Sequence, residues 1–180
     1  MQNDFDGALK FVLAAEGGYV DDPDDPGGAT NMGIEQPEYN TYRRSLGQPT
    51  QDVRDITVTE ASTIYKSNYW EPVHGDYLLA PVAYALFDSA VNCGIGMAVS
   101  FLQEVLGIPT SYRFDDNTSA AYHNFVAEHT GLDLANGVLA RRTTHYKLLV
   151  ADNEELAKFL TGWLNRVEAL SKLISSPGFG

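Results

Sequence analysis

The sequence has little cysteine, little positive charge and no long apolar run. Cys93 is the only cysteine among 180 residues, so an internal disulfide framework and a cysteine-based zinc site are both excluded. Lysine and arginine number 12 against 24 aspartates and glutamates, which gives a net charge of -12. Because phosphate backbones need a basic footprint, no nucleic-acid partner is expected, and neither is electrostatic attraction to an anionic membrane.

The N-terminal segment also lacks the features of an export signal. Acidic residues stand where a secretory signal peptide carries positive charge, and the apolar residues that follow are spaced rather than continuous. No segment approaches the roughly 18 apolar residues of a membrane span, so stable membrane insertion is not expected. We therefore expect a protein that is made in the cytoplasm and does not export itself by a recognisable signal.

The bulk composition is that of a globular protein. Hydrophobic residues make up 44% and charged residues 20% of the sequence, which argues against disorder. A chain of 180 residues can bury a core of its own. We place one domain at residues 1–174, either as a single body or as two lobes at about 1–80 and 81–174, and we expect the tail at 175–180 to be loose.

The hydrophobic pattern is helical almost throughout. Apolar residues from Phe5 to Ala15 fall on one helix face, which the glycine pair at 17–18 ends, and a capping box at Thr57–Glu60 begins another helix. The pattern predicts further helices at 37–46, 57–70, 81–94, 96–106, 118–129, 132–149 and 153–174. The helix at 81–94 is the most apolar and is expected to be central. With at most a small β-turn or hairpin at 29–34, the sequence predicts an all-α fold.

The stretch from Ala15 to Ile34 gathers turn-forming residues around one glutamate. Glu16 falls at the C-terminus of the first helix, where the helix dipole disfavours its anion. Glycosidic hydrolysis needs one protonated acid for the leaving oxygen and a second carboxylate that orients water or stabilises the oxocarbenium-like transition state. The spacing therefore makes Glu16, Asp25 and Thr30 the candidate catalytic residues.

Other interpretations of this loop stay open. Asp22 and Asp24 are rivals of Asp25 as the second carboxylate, and the whole segment could be a solvated acidic loop. A calcium loop fits poorly, because no starting aspartate gives acids or amides at positions 1, 3 and 5 with a glutamate at position 12.

Five further residues are candidates for binding sugar. Asp88 and Asn92 lie at i, i+4 on an otherwise apolar helix, where polar groups need partners; either sugar hydroxyls or structural backbone groups could supply them. Tyr19 and Trp70 are the candidates for subsite walls, because aromatic rings suit sugar faces. Asn31, next to the catalytic loop, completes the set.

Cys93 and the histidines show no catalytic or metal-binding spacing. Cys93 lies beside a helix stop rather than at a helix N-terminus, where a thiolate would be favoured, so we expect a buried structural thiol. The four histidines show no HExxH or other metal pattern. No metal and no cofactor are therefore expected.

Three segments carry a more specific pattern than the carboxylate spacing. They are EGGYVDDPDDPGGATNMGI at 16–34, ITVTEASTIYKSNYW at 56–70 and ALFDSAVNCGIGMAVSFLQEVLG at 85–107, with a weaker likeness in FLTGWLNRV at 159–167. In these segments the chain resembles the glycoside hydrolase family 108 muramidases, known mainly as phage endolysins and related bacterial lysis or secretion-helper proteins.

The resemblance implies a lysozyme-like α-fold and hydrolysis of the β-1,4 bond between N-acetylmuramic acid and N-acetylglucosamine in peptidoglycan. It carries the family's catalytic glutamate onto Glu16. It also makes Glu16, Asp25 and Thr30 similar to the Glu, Asp and Thr of phage-type lysozymes, although the Asp-to-Thr spacing is one residue shorter. The expected partners are peptidoglycan glycan strands, which a monomeric enzyme would reach at the wall or periplasm through a holin or another export route.

Two alternatives to the muramidase prediction stay open. A lytic transglycosylase would use the same glutamate but release 1,6-anhydro-muramyl ends. A non-catalytic wall-binding or virion structural domain would keep the fold without the activity.

Overall fold

The computed structural model describes residues 5–21 and 28–179. It contains the helices α1 (Phe5–Glu16), α2 (Gln36–Ser45), α3 (Val58–Tyr65), α4 (Ala80–Cys93), α5 (Ile95–Val105), α6 (Asp116–Glu128), α7 (Gly131–Asp152) and α8 (Ala157–Ile174). Two short strands, β1 (Thr30–Asn31) and β2 (Ile34–Glu35), pair antiparallel. This architecture confirms the mainly α fold, with one small hairpin, that the sequence predicts.

The chain divides into two compact units. Among the described residues, 9–21 and 28–68 form one, and 5–8 together with 69–179 form the other. The predicted organisation, one domain at 1–174 or two lobes at about 1–80 and 81–174, stays a prediction.

The unit at 9–68 is built around the end of α1 and the hairpin. Gly17 adopts a left-handed conformation with φ of +78° and ends α1 directly after Glu16, as the sequence predicts. Val20 then pairs with Thr30 through two backbone hydrogen bonds, of 2.9 and 2.8 Å. These two bonds join the described residues that precede and follow the acidic segment.

A tight turn joins β1 to β2. Asn31 and Ile34 are partners in the ladder, so Met32 and Gly33 are the two turn residues. Both have positive φ, +52° and +76°, which is the signature of a type I′ hairpin turn. Glycine adopts this conformation without cost, whereas methionine does so rarely.

Helix α3 begins with the predicted capping box and ends in a wider turn. The Thr57 hydroxyl accepts a hydrogen bond from the Glu60 amide, and the Glu60 carboxylate accepts one from the Thr57 amide. After Tyr65 the chain continues as a π-helical turn over Lys66–Trp70. Such turns often occur at functional sites.

The second unit has its core around α4. Every residue of α4 from Val82 to Ala90 is buried, which confirms the prediction of a central apolar helix. Helix α4 packs against α5, α7 and α8, and α7 packs against α5 and α8. No helix within residues 5–21 and 28–179 is both long enough and apolar enough to cross a membrane.

Candidate active site

Glu16 is the last residue of α1 and lies against the hairpin turn. Leu9 and Val12 are buried on one face of the helix. Glu16 itself is half-buried. Because Gly17 turns the chain away at once, the carboxyl group stands at the end of a rigid element rather than in a loop.

Gly33 marks the point at which three parts of the unit meet. A Cβ atom at this position would lie 2.8 Å from Cγ and 3.0 Å from Oε2 of Glu16, and 2.5 Å from the hydroxyl oxygen of Tyr65. The Glu16 carboxyl group and the Tyr65 hydroxyl therefore approach the same glycine, within about 5.5 Å of each other. Only glycine leaves room for both.

The Tyr65 hydroxyl also holds the turn itself. It donates a hydrogen bond of 2.8 Å to the backbone carbonyl of Met32. The Tyr65 side chain is buried, with 1% of its surface exposed. The hydrogen bond thus fixes the left-handed residue of the turn to the end of α3.

Asn31 has a structural role, and its predicted sugar contact stays a prediction. Its side chain is 8% exposed, and Nδ2 donates to the backbone carbonyls of Val53, at 3.2 Å, and Arg54, at 3.0 Å. These bonds tie the hairpin to the 3₁₀ turn at Val53–Asp55. Thr30 precedes Asn31 on β1 and is half-buried, and its side chain points to the opposite face of the strand.

Tyr19, three residues beyond Glu16, is held by an arginine. The Arg54 guanidinium donates from Nη2 to the Tyr19 hydroxyl at 3.0 Å and lies over the ring, with 4.5 Å between its carbon and the ring centroid. The Tyr19 hydroxyl in turn donates to Asp21 at 3.0 Å. The hydrogen bond to Tyr19 raises the pKa of Arg54. The predicted sugar contact of Tyr19 stays a prediction.

Asp25 lies outside the described residues, as do its rivals Asp22 and Asp24. The assignment of the second carboxylate therefore stays a prediction. The same holds for the poor fit to a calcium loop. Among residues 5–21 and 28–179, no group of three or more histidine, cysteine, aspartate or glutamate side chains is placed to hold a metal ion.

Trp70 is a core residue and does not form a wall open to sugar. It has no exposed surface, and its indole packs against Phe5 and Phe87 at centroid distances of 5.3 and 5.5 Å. Its Nε1 donates to Asp76 at 2.9 Å, and Gly75 lies so close to the ring that a Cβ there would be 2.3 Å from it. The prediction of a subsite wall is wrong for Trp70, because residue type alone does not distinguish a buried indole from an exposed one.

Asp88 has structural partners, which is one of the two alternatives that the sequence leaves open for it. It is 1% exposed and accepts hydrogen bonds from two arginines, Arg142 on α7 and Arg166 on α8. Asn92 donates from Nδ2 to the Asp88 backbone carbonyl at 2.8 Å, within α4, and its predicted sugar contact stays a prediction. Cys93 is half-buried rather than buried as expected, and its thiol donates to the Tyr146 hydroxyl at 3.4 Å. Partial burial raises the pKa of this thiol.

Two residues near Glu16, and one that contacts Tyr19, were not identified as site residues from the sequence. They are Gly33, Tyr65 and Arg54, of which the first lies inside the GATNMGI segment and the second inside the segment at 56–70. The one signal that could have indicated Gly33 is its place in a two-residue turn between strands, because such turns need positive φ. Nothing in local spacing connects Tyr65 to Glu16.

The mainly α architecture with its single hairpin is a lysozyme-like fold. Residues 9–94 match the family model described as Glycosyl hydrolase 108. The solved structure of Brucella abortus SagA is similar to the chain, with a TM-score of 0.75 and 33% sequence identity over 93% of this chain and 91% of that one. A comparison with proteins of curated function gives no significant match. The chain belongs to glycosyl hydrolase family 108.

Family membership confirms the resemblance predicted from the sequence. It also gives the general activity: the chain is a glycoside hydrolase of the peptidoglycan-hydrolase type. The family match spans Glu16, the hairpin and α3, so the contacts around Gly33 lie within the matched residues.

Proposed function

We propose that the chain is an N-acetylmuramidase that cleaves the β-1,4 bond between N-acetylmuramic acid and N-acetylglucosamine in peptidoglycan, with Glu16 as the general acid. The observation that carries the proposal is the placement of Glu16 at the rigid end of α1, with its carboxyl group against Gly33. A general acid must be held within hydrogen-bond reach of the atom that it protonates, and a helix end supplies that precision.

The mechanism that we propose is a single displacement. The protonated Glu16 carboxyl group gives its proton to the glycosidic oxygen as the bond from that oxygen to the muramyl anomeric carbon breaks. Asp25 accepts a proton from the water that attacks the opposite face of that carbon, and Thr30 helps to hold this water. Inversion follows when the two carboxyl groups are roughly 6.5–9.5 Å apart, and a separation near about 5 Å would give retention instead.

Replacement of Glu16 by glutamine tests the assignment. The amide cannot donate the catalytic proton, so we expect Glu16→Gln to lose on the order of 10²–10⁴-fold in the release of reducing ends from purified sacculi while remaining folded. Glu128→Gln is the matched control, because Glu128 is likewise the last residue of a helix, α6, and is exposed. Equal activity of Glu16→Gln and wild type would refute the role of Glu16.

The products separate this proposal from its alternatives. Mass spectrometry of digested sacculi should show reducing muramyl ends, whereas 1,6-anhydro ends would identify a lytic transglycosylase. Binding to sacculi with no new ends of either kind would identify a wall-binding or structural domain. The anomer first formed, measured by NMR, reports inversion or retention.

The cell wall is the place of action that follows from this substrate. A monomeric state, and a holin or other export route, remain predictions from the sequence.

A further inference from the structure

The Met32–Gly33 turn lies between the Glu16 side chain and the Tyr65 hydroxyl. We propose that Tyr65 and Gly33 are positioning residues for Glu16: together they fix the surface against which its carboxyl group rests. This inference rests on the proposed function, because it concerns how the general acid is held.

The first step of the argument is the lack of space at Gly33. A Cβ there would come 2.8 Å from Cγ of Glu16 and 2.5 Å from the Tyr65 oxygen, and real Cβ atoms do not approach other atoms so closely. Gly33 therefore packs directly against both side chains. Since interiors transmit displacement rather than absorb it, a shift of this backbone shifts Glu16.

The second step is the conformation of Met32. Its φ of +52° lies in the left-handed region, which costs a non-glycine residue about 1–2 kcal/mol. A strained turn persists only when its surroundings hold it. The Tyr65 hydroxyl supplies such a contact, a 2.8 Å hydrogen bond to the carbonyl of this residue.

The third step concerns how Tyr65 acts. With 1% of its side chain exposed, Tyr65 cannot contact a glycan strand directly. It is the last residue of α3, whose start is fixed by the Thr57–Glu60 capping box and whose end leads into the π-helical turn. The tyrosine thus connects the rigid helix α3 to the turn, and the turn contacts Glu16. Any effect of Tyr65 on catalysis therefore comes from the position that Glu16 adopts.

Tyr65→Phe, with Tyr39→Phe as its control, tests the tyrosine. Tyr39 is equally buried in the same unit, and its hydroxyl donates to Glu60 at 3.0 Å, but none of its atoms is among the three nearest to a Cβ at Gly33. We expect both variants to lose similar stability. Only Tyr65→Phe should lower kcat on soluble peptidoglycan chains, by roughly 10-fold to 100-fold with KM unchanged, since a misplacement of about 1 Å can cost 10²-fold.

Gly33→Ala, with Gly47→Ala as its control, tests the same junction independently and decides the matter if Tyr65→Phe does not fold. Both glycines have positive φ, +76° and +68°, so both substitutions carry the same backbone strain. A Cβ at Gly47 meets nothing within 4 Å, whereas one at Gly33 displaces Glu16. We expect kcat to fall at least 10-fold in Gly33→Ala and to stay within twofold of wild type in Gly47→Ala.

The outcomes distinguish this inference from the proposed function. If Glu16→Gln is inactive while Tyr65→Phe and Gly33→Ala keep wild-type kcat, positioning by these residues is refuted and the general acid stands. Equal kcat losses in Tyr65→Phe and Tyr39→Phe would also refute it, because the effect would then be one of stability. If Glu16→Gln keeps full activity, the proposed function fails and this inference fails with it.

Discussion

The Asp88 carboxylate and the Arg142 guanidinium form a buried ion pair, in which Oδ2 lies 2.5 Å from Nη1. Arg166 bonds the other carboxylate oxygen, with Nη2 at 2.7 Å and Nε at 2.9 Å. Burial acts to lower the pKa of Arg142, but Asp88, together with Tyr146 and Cys93, outweighs burial and raises this pKa. One carboxylate therefore joins α4 to α7 and α8 through charge-assisted hydrogen bonds.

Removal of this carboxylate should destabilise the protein without altering its chemistry. Asp88→Asn leaves two guanidinium groups close together with no anion between them, and we expect a loss of about 3–5 kcal/mol in the free energy of unfolding. The kcat of the folded variant should stay within about twofold of wild type, because Asp88 is not placed to touch substrate. Urea unfolding and sacculus digestion below the unfolding transition measure the two quantities.

An exposed ion pair supplies the comparison. Glu104 lies 3.6 Å from Arg141 with about half of each side chain exposed, so Glu104→Gln should cost less than about 1 kcal/mol. If Asp88→Asn instead unfolds like wild type and raises KM for glycan chains, the sugar contact predicted from the sequence would be supported.

The Glu60 carboxylate should make part of the stability depend on pH. It accepts hydrogen bonds from the Thr57 amide, the Thr57 and Tyr39 hydroxyls and Arg43, at 2.9–3.1 Å. Burial acts to raise the pKa of Glu60, but these bonds together outweigh burial and lower it from 4.5. The folded state thus prefers the Glu60 anion. The stabilisation is complete when the pH is above the pKa of Glu60 in the unfolded state, and it is lost as the pH falls through the pKa in the folded state.

Glu60→Gln should reveal this dependence. We expect it to cost about 1–2 kcal/mol of unfolding free energy at pH 7, and we expect the difference from wild type to shrink below about pH 4. Urea unfolding of both proteins at pH 7, 5 and 3.5 measures it. Glu71→Gln, at an exposed position, controls for the general effect of acid. A difference that stays constant over this range would contradict the assigned role of the carboxylate.

Most of the fold could be predicted because its signals are local. The capping box at Thr57–Glu60, the glycine after Glu16 and the apolar run of α4 each determine an element from neighbouring residues alone. The conformation of Met32 could not be predicted, because methionine disfavours positive φ and the contact that holds it comes from Tyr65, 33 residues away in sequence.

The residues of the candidate site also differ in whether local sequence could predict their roles. Glu16 could be placed because a helix end is a local feature. The burial of Trp70 and Asp88 depends on distant partners: Arg142 and Arg166 lie 54 and 78 residues beyond Asp88, and spacing carries no signal for them. A polar residue on an apolar helix is thus equally compatible with a sugar contact and an internal ion pair until the tertiary packing is known.

The amide of Asn31 offers a last prediction, because it donates to two carbonyls at once. Asn31→Ala removes both hydrogen bonds to Val53 and Arg54 and should cost about 1–3 kcal/mol of unfolding free energy. Asn31→Asp should cost more at pH 7, since a buried carboxylate would then face two carbonyl oxygens. Burial and these oxygens would raise the pKa of the introduced carboxyl group above its unfolded value of about 3.9.

The order of the two variants should therefore change with pH. A raised folded-state pKa means that the extra penalty of Asn31→Asp is full above that pKa and is relieved as the pH falls toward the unfolded value, where the protonated group can donate to one carbonyl. At pH 7, thermal unfolding should give Asn31→Asp a lower Tm than Asn31→Ala. At pH 4 the Tm of Asn31→Asp should equal or exceed that of Asn31→Ala. Asn165→Asp, exposed on α8, controls for the added charge. If Asn31→Asp behaves like Asn165→Asp at both values, the Asn31 amide does not hold the two carbonyls, and the link from the hairpin to Arg54 fails.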